Sequence, residues 1–148
     1  MGILRQQREI RLNAVIEAAI EAADHYQEEA ARVDDETIAT LFADLSRRRR
    51  EMSETLSAHI ENLGDLPREP DVEAELAHEL VSRIRTATED PRRVLLKERI
   101  EAEEDLKLRI RAACETDLPA DTLSVLEKYE DDANTAEAEL SELLVRYL

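Results

Sequence analysis

Leu12, Ile16, Ala19, Ala23, Tyr26, Ala30 and Val33 follow one another at steps of four and three without a fault. Such a stripe keeps to one face of an α-helix, so the chain opens with a long amphipathic helix over residues 5–33. A helix of this length must bury its stripe against partners of similar length, and that requirement constrains the rest of the chain. Three further segments answer it. Asp34 or Asp35 caps a second helix, whose seam Ile38, Phe42, Leu45, Arg49, Met52, Leu56 and Ile60 ends at Leu63 and Gly64. Asp90 and Pro91 read as the N-cap and first residue of a third, because proline lacks a donor that this position does not use. Asp117, Leu118 and Pro119 break that helix, and a fourth covers 120–148 through Leu123, Leu126, Ala133, Leu140, Leu144 and Tyr147.

The links set the topology. Short links between the first and second helices, and between the third and fourth, make antiparallel neighbours. The long connection that follows Gly64, irregular over residues 65–70, lets the second and third run parallel. Within it, Val72, Leu76, Leu80 and Ile84 predict a shorter helix over 71–88 that climbs back along the outside. With only two glycines, four prolines and no period-two run, no segment reads as a strand. The expectation is an all-α, single-domain chain over 1–148: a four-helix bundle of ferritin-like connectivity with an additional crossover helix between its second and third helices.

Composition excludes several partners. A net charge of -16 repels phosphate, which argues against nucleic acid and against an anionic membrane surface. The run Arg47, Arg48, Arg49, Arg50 points to all sides of one helix and forms no basic patch. Apolar stretches fall far short of a membrane span, and no signal-peptide core stands at the N-terminus. A single cysteine, Cys114, permits no internal disulfide and reads as a small buried hydrophobe, so a reducing, cytoplasmic setting is expected. Two glycines cannot build a phosphate-binding loop.

Ionisable residues interrupt the apolar seams. Arg49 lies within the seam of the second helix, and Glu104 lies on the line Leu96, Ile100, Glu104, Leu108 of the third. Counting the rise per residue from the helix ends brings Glu21, the stretch 47–51, Glu103 or Glu104, and Glu130 with Asp131 to one height. Two readings fit such a layer. In the first, Arg49 is the counter-charge to Glu21, Glu104 and possible further partners such as Glu130, since its fork accepts two carboxylates at once. In the second, Glu21, Glu51 or Glu54, Glu104 and Glu130 form a carboxylate cage for iron or manganese. The ion-pair reading is preferred, because a di-metal bundle adds Glu-x-x-His motifs that are missing here. Glu75 with His78, on the crossover segment, is the one such pair, and a guanidinium would repel a cation. His25 and His59 flank their seams as half-exposed residues, and Tyr26 and Tyr129 pack in the core with hydroxyls that could reach the layer.

These motifs resemble a bacterial ferritin-like four-helix-bundle family of unknown function, over nearly the whole length. Leu12-Asn13-Ala14-Val15-Ile16 is similar to the family's opening Leu-Asn-x-Leu-Ile, and Tyr26 to its first-helix tyrosine. Phe42-Ala43-Asp44-Leu45 with Arg49 is similar to its Phe-x-x-Leu…Arg stretch, and Leu63-Gly64…Pro67 to its Leu-Gly-x-x-Pro. His78 falls where the family has His-Arg, and Glu104-Asp105 resembles a Gly-Glu-Asp motif in which Glu103 replaces the glycine. Where relatives tend to carry a fourth-helix histidine, this chain has Ala136-Glu137. The resemblance implies the fold and a stress-linked role, and no established reaction.

The sequence therefore predicts a non-enzymatic structural or interaction protein that self-associates, has a protein partner and needs no cofactor. A ferritin-like di-metal protein, holding iron or manganese for oxidase or iron-handling work, is the alternative.

Overall fold

A computed structural model describes residues 2–64 and 90–148, with side chains from residue 7 onward. The predicted crossover helix over 71–88, with Glu75 and His78, lies outside the described residues. Among those described, four α-helices account for nearly all of the chain and no strand occurs: α1 (Gly2–Arg32), α2 (Glu36–Asn62), α3 (Pro91–Cys114) and α4 (Ala120–Val145).

Local chemistry sets the boundaries. Asp35 has an extended backbone and its side chain accepts from Ile38 N at 3.0 Å, filling one of the donors left open at the start of α2. At the other end Gly64 takes φ 86°, a left-handed conformation without penalty for glycine, and its N–H donates to Glu61 O at 2.9 Å. The Asp90 side chain accepts from Arg92 N at 2.9 Å and Pro91 opens α3. After Cys114 the turn is pinned by buried Leu118, and Pro119 precedes α4.

Contacts fix the arrangement. Arg11 Nη1 donates to Ala112 O at 2.9 Å and Arg109 Nη1 to Ala14 O at 3.3 Å, so α1 and α3 run antiparallel. Ser46 Oγ donates to Ala23 O at 2.7 Å across the α1–α2 pair, and His59 Nδ1 lies 2.9 Å from Thr122 Oγ1 across α2 and α4. The helices therefore form a ring in the order α1, α2, α4, α3, with α2 and α3 parallel and diagonal. The pairs α1–α2 and α3–α4 pack closely, whereas α2 and α4 are the loosest of the neighbouring pairs in the ring.

The apolar core comes in two parts. One gathers Leu12, Ile16, Met52, Leu56, Ile110 and Leu126. The other gathers Tyr26, Phe42, Leu45, Leu96, Leu140 and Leu143. A charged layer lies between them.

The buried face of α3 differs from the expected one. Leu96, Arg99, Glu103, Leu106, Ile110 and Ala113 are buried, at steps of three and four. The line Leu96, Ile100, Glu104, Leu108 used steps of four only. Each such step overshoots a full turn by about 40°, so three of them carry the line about a third of the way round the helix. Leu108 is accordingly 55% exposed, and Glu104 faces solvent.

Candidate functional site: a four-helix charged layer

Each helix contributes one side chain to the layer: Tyr26 from α1, Arg49 from α2, Glu103 from α3 and Asp132 from α4. Arg49 and Glu103 have no exposed surface (0%), and Asp132 is 29% exposed. Arg49 Nε lies 3.1 Å from both Glu103 oxygens and Nη2 lies 2.5 Å from Oε1, while Nη1 donates to Asp132 Oδ2 at 2.5 Å. Tyr26 OH donates to Glu103 Oε2 at 2.8 Å. All three guanidinium nitrogens are thus engaged, and the planar fork matches two carboxylates held on different helices.

Each charge acts on its neighbours. Burial disfavours the ionised guanidinium of Arg49, but attraction to Glu103 and the bonds to Glu103 and Asp132 outweigh it, so its pKa is raised. Asp132 is held below the usual carboxylate range: burial opposes this, and the bonds and charges of Arg49 and Arg48 prevail. Burial, and next the charge of Glu103, push the Tyr26 hydroxyl well up, so it stays a donor.

The arginine run explains the layer's reach. Arg50 donates to Asp24 at 3.3 Å and Gln27 at 3.1 Å on α1, and Arg49 reaches Glu103 on α3. Arg48 spans to Asp132 at 2.9 Å and Glu139 at 3.2 Å on α4. Arg47 stays on its own helix with Asp44 at 3.0 Å. Four consecutive residues on a helix are spaced by about 100°, so the run spreads over α1, α3, α4 and the surface of α2 itself, with Asp132 shared by Arg48 and Arg49.

Several expected site residues lie elsewhere. Glu104, taken as a core partner of Arg49 and as a metal ligand, is 52% exposed and pairs with Lys107 at 2.9 Å. Glu103 holds the place assigned to it, because the seam of α3 runs one residue earlier. Glu54 is exposed, as is Glu51. Glu130 is bonded to Arg111 at 2.5 Å on the α3–α4 side. Glu21 is half-buried in a groove between α1 and α3, with His25, Glu98, Arg99 and Arg109. Glu21, Glu54, Glu104 and Glu130 thus do not converge. Among the described residues no group of three or more His, Cys, Asp and Glu side chains is placed to hold a metal ion. The central position is filled by a guanidinium, so the residues present do not fit the di-metal group that such bundles can carry.

Sequence reasoning missed Glu103 as the partner, Asp132 beside the stretch it singled out, and Lys107. Lys107 is buried against Asn134 and Glu137, each at 2.9 Å. A strict three-four count from Leu96 would have found Glu103 and Arg99. Nothing in the sequence distinguishes Asp132 from Asp131 except the phase set by Tyr129, Ala133 and Ala136. Cys114 is half-buried, packed against the apolar cluster that also holds Tyr129.

Together the ring of helices, the diagonal parallel pair and the polar layer define a ferritin-like four-helix bundle with a guanidinium at its centre. The family described as "Domain of unknown function (DUF2383)" matches residues 9–116, and the chain belongs to it. In solved structures the chain is similar to a two-domain protein from Anabaena variabilis ATCC 29413 that contains DJ-1/ThiJ/PfpI-like and ferritin-like domains. The TM-score is 0.73 at 11% identity, covering 96% of this chain and 37% of that one. The likeness concerns fold. The chain spans little more than a third of that protein's length. No curated protein matches it. The family match ends before α4, the helix that supplies Asp132.

Proposed function

We propose that the chain is a non-enzymatic, cytoplasmic bundle protein with a structural or stress-linked interaction role, and that it self-associates. In this reading the layer of Tyr26, Arg49, Glu103 and Asp132 fixes the register of the helices in place of a di-metal centre. One observation carries it: the Arg49 guanidinium, with 0% exposure, lies between Glu103 and Asp132. A buried charge of this kind is costly unless it is fully paired, and here every nitrogen is. Buried polar contacts can specify helix pairing without running chemistry. The scattered positions of Glu21, Glu54, Glu104 and Glu130 support this reading over the iron or manganese alternative.

The test is elemental analysis by plasma mass spectrometry of the untagged protein, before and after incubation with ferrous iron. Less than about a tenth of an equivalent of metal per chain is expected. About two per chain, the stoichiometry of a di-metal bundle, would overturn the proposal. Light scattering checks self-association, and a monomeric mass at all concentrations would remove that part.

A further inference from the structure

The central layer can be read from the ligand's side. Its walls are two carboxylates on different helices and a phenol whose proton already serves one of them: Tyr26 OH bonds Glu103 Oε2 at 2.8 Å, and the guanidinium meets both oxygens, most closely Oε1 at 2.5 Å. Glu103 meets the Nε and Nη2 edge of Arg49, and Asp132 meets Nη1. That donor pattern belongs to a planar, monovalent cation with divergent N–H groups. An ammonium presents no parallel pair of donors. Arg48 donates to Asp132 Oδ1 at 2.9 Å and adds positive charge beside the layer, which disfavours a doubly charged ion. Access also has a side. Asp132, bonded by Arg48 and Arg49 across the loosely packed α2–α4 pair, is 29% exposed, whereas Glu103 has no exposed surface.

We propose that this layer is a receptor for a guanidinium-type cation, with Arg49 as its tethered occupant. A free alkylguanidinium takes the place when the tether is cut. The inference rests on the ion-pair reading of the layer given above. It extends that reading by naming a ligand class and an entry side.

Ethylguanidinium is the fragment of the side chain that Arg49→Ala removes, which makes it the probe. The full-length variant is titrated with millimolar ethylguanidinium chloride, below denaturing concentrations, and its thermal midpoint is followed. A saturable rise is expected, of about 4 °C at about ten times the dissociation constant. Ethylammonium chloride at equal ionic strength should give none, nor should ethylguanidinium with the wild type or with the Arg49→Ala/Glu103→Gln double variant. If Arg49→Ala is unfolded at working temperature, the same titration reads regained helicity by circular dichroism.

Absence of a selective gain in either readout overturns the inference. So does an equal gain with ethylammonium, or a gain with manganese but not with ethylguanidinium. Failure here is separable from failure of the proposed function, because the latter is read as metal bound by the wild type with Arg49 in place.

Discussion

Arg49 and Glu103 stand 54 positions apart in the chain and meet through three nitrogen–oxygen contacts of 2.5–3.1 Å, with neither side chain exposed. The pair joins the two parallel, diagonal helices α2 and α3, which no short link connects. It therefore ties the bundle across its centre, at the level where one apolar cluster gives way to the other.

Removing one partner should hurt far more than removing the whole set. Arg49→Met leaves Glu103 buried without its cation, and such losses run to about 3–5 kcal/mol. The triple variant Arg49→Met, Glu103→Leu, Asp132→Leu should recover most of that stability or exceed the wild type, since packed apolar replacements of buried ion pairs are often neutral or better. Urea denaturation of the two variants checks this. A triple variant that is less stable than Arg49→Met would refute the account of the layer.

The phase of α3 is tested by neighbouring glutamates. Glu103→Ala should lower the thermal midpoint strongly, because it orphans Arg49 and the Tyr26 hydroxyl. Glu104→Ala should leave the midpoint where it is, since that carboxylate is in solvent beside Lys107. Equal effects from both substitutions would show that α3 is rotated from the position described.

Glu29 predicts a pH dependence near neutrality. Burial, opposed by Arg99 and reinforced by Glu98 and Glu28, raises its carboxyl to about 7 from an ordinary 4.5. A carboxyl with a raised folded-state pKa gives its full stabilisation below about pH 4.5 and loses it progressively as pH rises to about 7. Glu29→Gln removes that loss. Its stability should equal the wild type's near pH 4.5 and exceed it above pH 7, by about 3 kcal/mol. Chemical denaturation of both proteins across pH 4.5–8 gives the comparison, and parallel curves would count against it.

Asp35 links three parts of one bundle end. It caps α2, it accepts a hydrogen bond from Tyr147 OH beyond the end of α4, and the Arg92 guanidinium of α3 lies 4.8 Å from the centre of the Tyr147 ring. Asp35→Ala should cost about 1 kcal/mol through the lost cap alone. Tyr147→Phe should cost less and speed amide exchange at residues 143–147, as read by mass spectrometry. Unchanged exchange there would mean that the tyrosine does not anchor the helix end.

Much of the fold was legible because helix ends have local chemistry. Asp35, Gly64, Asp90 with Pro91, and Pro119 each act through their own backbone, so a reader of the sequence meets the cause directly. The seams of α1 and α2 were legible because their apolar residues already alternate steps of three and four. On α3 the alternation is hidden: Arg99, Glu103 and Lys107 are buried there while Leu108 is exposed, so hydrophobicity points to the wrong face. The partners of Arg49 depend on that face and on the phase of α4. No single helix contains that information, because it arises when four of them are brought together.

The four successive arginines of α2 have a consequence for how this chain can change. Because Arg50, Arg49 and Arg48 are held by partners on α1, α3 and α4, inserting or deleting one residue upstream in α2 turns the whole run by about 100° at once. Substitutions can be absorbed one contact at a time. A change of length cannot. The run thereby acts as a reading-frame check on the helix, tolerant of altered letters and intolerant of a shifted one.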